Sequence, residues 1–168
     1  MISDKQKALI LKVKSQIGVH EVGGNNSGAV VEMYQRVIGK AEKEPWCCSF
    51  IQWCVREVDK AMSSHTLLYA TESTQMLWTK TPQVARLPKP EPGCVVVWTK
   101  FKGDLPLSIG HCGIVVEVLD DDWILTVEGN TSDSTGISRE GDGVYMKRRS
   151  SRILTGYMRT AGYLLPWA

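Results

Sequence analysis

No stretch of this chain comes near the roughly 20 consecutive apolar residues that a membrane span needs. Its five cysteines (47, 48, 54, 94 and 112) include no CxxC pair, and their number is odd. That argues against a disulfide framework and against a structural zinc site, and leaves at least one thiol free. Lys and Arg are scattered rather than massed, and the net charge is only +2. No nucleic-acid partner is therefore expected, although the small excess favours approach to an anionic surface. The polar start, Met1 to Lys7, has no apolar signal core before a cleavage site. Synthesis in the cytoplasm without an export signal is the expectation. There is no internal repeat and no low-complexity linker. A single domain over residues 1–168, acting as a monomer, is expected.

What is present is a globular composition, 43% hydrophobic and 23% charged, enough for one proper core without staples. Lys5 to Ile17 carries Ala8, Leu9, Leu11, Val13 and Ile17 between lysines and reads as an amphipathic helix. Residues 23–28 form a Gly/Asn-rich turn. Val30 to Ile38 is helical in period and stops at Gly39. Pro45 forces an extended entry to a third helix, about Cys47 to Ala61. A short helix is expected around Thr71 to Thr79. After Pro88, Pro90 and Pro92 the pattern alternates. Cys94–Thr99, His111–Leu119, Trp123–Asn130, Val144–Arg149 and Gly156–Leu164 read as strands, with Asp120-Asp121-Asp122 as a hairpin turn. Helices followed by antiparallel strands give an α+β domain. Two long loops, Lys100–Gly110 and Thr131–Gly143, are either lips of a binding site or plain surface loops.

The opening of the third helix, Pro45-Trp46-Cys47-Cys48-Ser49-Phe50, concentrates the chemistry. A helix N-terminus stabilises a thiolate through its unpaired N–H groups and dipole. Cys47 shares the i, i+3, i+4, i+7 stripe with Phe50, Ile51 and Cys54, facing the core. Cys48 lies about 100° round, with Gln52 and Asp59, and is expected to point aside. Taken alone, both read equally well as small buried hydrophobes. His111 shifts that balance: it opens a strand between Gly110 and Gly113, on the face opposite Cys112, Ile114 and Val116. On the next strand, alternation puts Glu128 and Asn130 on one face, and either could orient the His111 ring. The hairpin register is uneven, so direct contact needs a bulge.

Together these motifs resemble the CHAP domain (cysteine, histidine-dependent amidohydrolase/peptidase), a branch of the NlpC/P60 group of papain-like peptidoglycan hydrolases. The likeness rests on Pro-Trp-Cys-Cys-Ser-Phe-Ile-Gln-Trp-Cys at 45–54, Gly-His-Cys-Gly-Ile-Val at 110–115 and Val-Glu-Gly-Asn-Thr at 127–131. Residues 17–34 and 143–149 add weaker likeness. The resemblance implies a papain-like fold, Cys47 as nucleophile, His111 as base, and Glu128 and Asn130 as further catalytic-site residues. Trp46, Gly110 and Gly113 are expected beside the substrate. Bacterial peptidoglycan is the implied partner, and hydrolysis of a stem-peptide amide, by an amidase or an endopeptidase, the implied activity. No cofactor is implied. Members that bind calcium carry an acidic loop before the nucleophile. Residues 39–44 are not Asp-rich, so no metal is expected. Cys48 and Cys112 depart from the family, which has a small and an aliphatic residue there. The setting expected is a phage lysin acting on the wall after release. A delivered antibacterial amidase, a cysteine peptidase acting on protein and a non-catalytic wall-binding module are the alternatives.

Overall fold

The protein is described by a computed structural model covering residues 1–39, 43–133, 141–155 and 158–167. Four helices come first: α1 (Asp4–Lys14), α2 (Ala29–Arg36), α3 (Cys47–Met62) and α4 (Thr74–Lys80). Seven strands follow: β1 (Arg86–Leu87), β2 (Val95–Lys102), β3 (Leu105–Val118), β4 (Trp123–Thr131), β5 (Gly143–Ser150), β6 (Ile153–Thr155) and β7 (Met158–Leu164). All pair antiparallel in one sheet of order β1-β7-β2-β3-β4-β5, with β6 also on β7. The architecture is α+β, as the helices-then-strands pattern predicts. Among the described residues, no helix is long and apolar enough to cross a membrane.

Local chemistry sets the ends of these elements. Ser3 and Gln6 form a reciprocal capping box that starts α1. The helix stops at Lys14, three residues short of the predicted end. Gly18 turns there at φ +93° and donates its N–H to Val144 O on β5. α3 ends where Ser63 takes the left-handed conformation. The largest departure from expectation is at Lys100–Gly110, predicted as a long loop. It is a continuation of the β2–β3 hairpin, turning at Gly103. Thr99 Oγ1 hydrogen-bonds to the carbonyls of Leu107 and Ile109, holding the two arms together across a bulge. The short strands β1 and β6 carry too few residues to show an alternation. Most of the expected Thr131–Gly143 loop, residues 134–140, and the first two residues of the expected Gly156 strand lie outside the described residues.

The two faces of the sheet differ. Against the helices, Val95, Val97, Cys112, Ile114 and Val127 meet Leu9, Val13, Phe50, Ile51, Cys54, Val55 and Val58 in the main core. Each such buried aliphatic contributes about 1.5–3 kcal/mol by leaving water. The opposite face carries a smaller cluster of Cys94, Val96, Trp98, Val115, Ile124 and Tyr163. By strand parity it also carries His111, Thr126, Glu128 and Arg149.

Candidate active site

The first turn of α3 is set in place before it does any chemistry. Trp46 is fully buried between Tyr34 and Phe50, and its Nε1–H donates to Glu21 Oε1 at 2.8 Å. Gln35 donates to the carbonyls of Glu44 and Asn26, tying down the approach to the helix. Gly129 on β4 completes the seat. A Cβ there would lie 2.8 Å from the Phe50 side chain and from the Trp46 ring, so glycine lets helix and sheet touch. Trp46 is thus a support for Cys47. Its burial excludes the substrate contact that the sequence suggested.

Cys47 opens onto a cleft of about 380 Å³. Glu44 and Pro45 form one wall, Glu72, Ser73 and Thr74 another, and Ser108, Ile109 and Gly110 a third, with His111 and Asn130 beside the thiol. The extended β2–β3 hairpin therefore supplies a lip although it is not a loop. Gly110 lines the cleft: it fits between Thr74 Oγ1 and the Trp98 carbonyl, where a side chain has no room. Gly113 does not line it. A Cβ on Gly113 would come 2.7 Å from Glu128 Cγ, so this glycine makes space for the carboxylate and not for a substrate.

His111 is buried, its ring stacked on Trp98 with centroids 6.1 Å apart. Its Nε2 donates to Glu128 Oε2 at 2.9 Å, which leaves Nδ1 for the hydrogen bond with Cys47. The bulge needed for that reach exists, between Val115 and Glu117 in the β3–β4 pairing. Glu128 has no exposed surface and is held on every side. Arg149 Nε donates to Oε1 at 2.8 Å and an Arg149 terminal nitrogen to Oε2 at 2.7 Å; Thr126 Oγ1 donates to Oε1 at 2.6 Å. The two-pronged guanidinium is the strong form of such a pair.

Asn130 does something else. Its backbone takes φ +54° at a register shift in the β4–β5 pairing, which removes it from the alternation that was expected to align it with Glu128. With the amide turned to suit its neighbours, it accepts from Trp46 N–H at 3.2 Å and donates to Gly141 O at 3.0 Å. It grips the residue before Cys47 rather than the ring of His111.

The charges follow from these contacts. Burial alone would raise the Glu128 pKa, but Arg149 and then His111 outweigh it and hold the group at about 2. Burial alone would lower that of His111. Its hydrogen bonds to Cys47 and Glu128, with their negative charge, raise it instead to about 9. Hydrogen bonds from Cys112 and Cys48, joined by His111, bring the Cys47 thiol well below its ordinary range against the cost of burial. The shifts favour thiolate at Cys47, imidazolium at His111 and carboxylate at Glu128, which with the Arg149 guanidinium gives a row of alternating sign. Sequence reasoning missed Arg149 and Thr126. Arg149 sits among three basic residues that look like a solvated strand face, and only its place on the face of Glu128 marks it.

Cys48 does not point aside. It is fully buried, with its Sγ 3.3 Å from Cys112 Sγ. Helical phase fails here because the first turn is enclosed on both flanks; Gln52, on the same side, is buried too and donates to Tyr69 O. Access separates the two thiols: Cys47 lines the cleft and touches His111, and Cys48 does neither.

The profile of the CHAP domain matches residues 39–130. The chain belongs to the CHAP-domain family. The match spans more than half of the 168 residues and includes Cys47, His111, Glu128 and Asn130. Comparison with curated proteins and with solved structures gave no match. Arg149 falls outside the matched CHAP segment although it holds Glu128 from β5.

Proposed function

We propose that this protein is a cysteine hydrolase that cuts an amide bond in the peptide part of bacterial peptidoglycan, with Cys47 as nucleophile and His111 as acid and base. The observation that carries this is the row Cys47–His111–Glu128–Arg149, whose Cys47 and His111 line an open cleft, with the thiol in the first turn of a helix. Membership of the CHAP family supports the substrate class.

In this mechanism the Cys47 thiolate adds to the scissile carbonyl carbon, and the carbonyl oxygen becomes an oxyanion. The N–H groups of the first turn of α3, which have no acceptor within the helix, are placed to stabilise it. His111 gives its Nδ1 proton to the departing amine, and the C–N bond breaks, leaving a thioester. Neutral His111 then takes a proton from water as the water adds to the thioester. Collapse expels Cys47 and releases the carboxylic acid. Glu128 fixes the ring orientation and stabilises the imidazolium, while Arg149 keeps Glu128 ionised. Asn130 acts through the backbone, by holding Trp46.

The setting belongs to the same proposal: a lysin of phage type, reaching the wall after release from the cell that made it. The mildly basic charge suits an anionic wall. Purified protein incubated with bacterial sacculi, followed by mass spectrometry of the released muropeptides, tests the activity and identifies the bond. Soluble fragments with a new amine, absent for Cys47→Ser, are expected. Release of peptides from denatured casein but not from sacculi would overturn the substrate assignment.

A further inference from the structure

Three thiols that lie far apart in the sequence converge at the nucleophile. Cys47 and Cys48 come from α3 and Cys112 from β3, all buried, with their sulfurs within 4.8 Å of one another. One pair is already at 3.3 Å. A zinc ion bound by thiolates at about 2.3 Å in a tetrahedron needs sulfurs about 3.8 Å apart, a spacing this cluster reaches with small side-chain movements. A solvent molecule from the cleft that Cys47 lines completes the tetrahedron, the usual arrangement where the protein supplies three ligands. The cleft gives a route from solvent to Cys47.

We propose that Cys47, Cys48 and Cys112 form a binding site for a soft divalent cation, zinc in the first instance, that caps the nucleophile and switches the hydrolase off reversibly. Each thiol gives up its proton on binding, and the metal–sulfur bond ties up the electron pair that Cys47 would use for attack. Hard cations such as calcium and magnesium find no oxygen cage there and are not ligands. The missing CxxC spacing hid the site, because the fold and not the linear order gathers its ligands.

The binding half of this proposal does not depend on the peptidoglycan assignment and is read without activity. The reduced protein is titrated with Cd²⁺ and with Co²⁺, following the thiolate-to-metal charge-transfer band and the tetrahedral cobalt bands, with Zn²⁺ competing. One ion per chain is expected, with several thiolates bound. In Cys48→Ala and in Cys112→Val the affinity should fall by on the order of a hundredfold or more. Cys112→Ser serves if the valine variant does not fold. Zn²⁺ should inhibit the wild type, relieved by a chelator. The concentration for half inhibition, taken relative to each variant's own basal rate, should rise in parallel with the loss of binding. An unchanged cadmium spectrum in both variants would overturn the site. So would equal zinc sensitivity in all three proteins, since zinc would then be acting on Cys47 and His111 alone.

Discussion

The two faces of strands β3 and β4 use the same alternation for opposite purposes. Toward the helices, Cys112, Ile114 and Val127 are apolar, and their neighbours on α3 are apolar too. Away from the helices, His111, Glu128, Thr126 and Arg149 are as deeply buried but polar, and each is hydrogen-bonded to another member of the set. The first face is held by area removed from water, which tolerates exchange among residues of similar volume. The second is held by partners, so the loss of one member leaves another charged and unpaired in a place water does not reach. The first turn of α3 touches both faces, at the adjacent residues His111 and Cys112. The nucleophile sits where the two modes of burial meet.

The comparison breaks first at the chemistry. Cys47→Ser should lower hydrolysis of sacculi by on the order of a thousandfold or more, with the thermal midpoint little changed. Glu128→Gln should lower kcat/KM by about a hundred- to ten-thousandfold. Arg149→Met should instead act mainly on stability, costing about 3–5 kcal/mol in denaturant unfolding because Glu128 loses its main cation. If Arg149→Met unfolds at the same urea concentration as the wild type, the polar face is not held by its partners.

A pH series sharpens the contrast. The Cys47 pKa is lowered and that of His111 raised to about 9, so the thiolate–imidazolium pair exists between them. The kcat/KM profile should be flat through neutrality, fall on the acid side as Cys47 takes up a proton, and fall on the alkaline side near pH 9. Stability should follow its own signs. Glu128 drops from an ordinary 4.5 to about 2, so its contribution is full above pH 4.5 and disappears as pH falls toward 2. His111 rises from 6.5 to about 9; its contribution is full below pH 6.5 and is lost as pH rises through 9. Urea unfolding midpoints at several pH values check both.

The smallest effects come from one methyl group on each face. Gly129→Ala presses on Phe50 and Trp46 and should cost about 1–3 kcal/mol of stability. Gly113→Ala presses on the Glu128 side chain and should lower kcat/KM more than it lowers the unfolding midpoint. The reverse pattern would mean that the division between the faces is wrong.

Much of this was legible in the sequence. The α3 start and the alternation along two neighbouring strands place Cys47, His111 and Glu128, although His111 lies inside β3 and does not open it, and the uneven hairpin called for the bulge that is found between Val115 and Glu117. What escaped reading depends on contacts across the fold. Arg149 is apolar in neither character nor neighbourhood along the chain, and Glu128 on the same sheet face helps make its burial affordable. Cys48 and Cys112 are 64 residues apart, and nothing in their spacing announces that they touch. Trp46 and Gly113 were misread because a residue next to a reactive group in sequence can as easily carry its weight from behind.

The contact between Glu128 and Arg149 has one more consequence. The recognisable signature ends at Asn130, yet the cation that neutralises Glu128 arrives 21 residues after that carboxylate, from β5. A chain cut where the signature stops would keep every reactive atom and bury an uncompensated anion among them. Transplanting this catalytic unit into another protein would therefore require β5 to travel with it: the shortest working unit is longer than the shortest recognisable one.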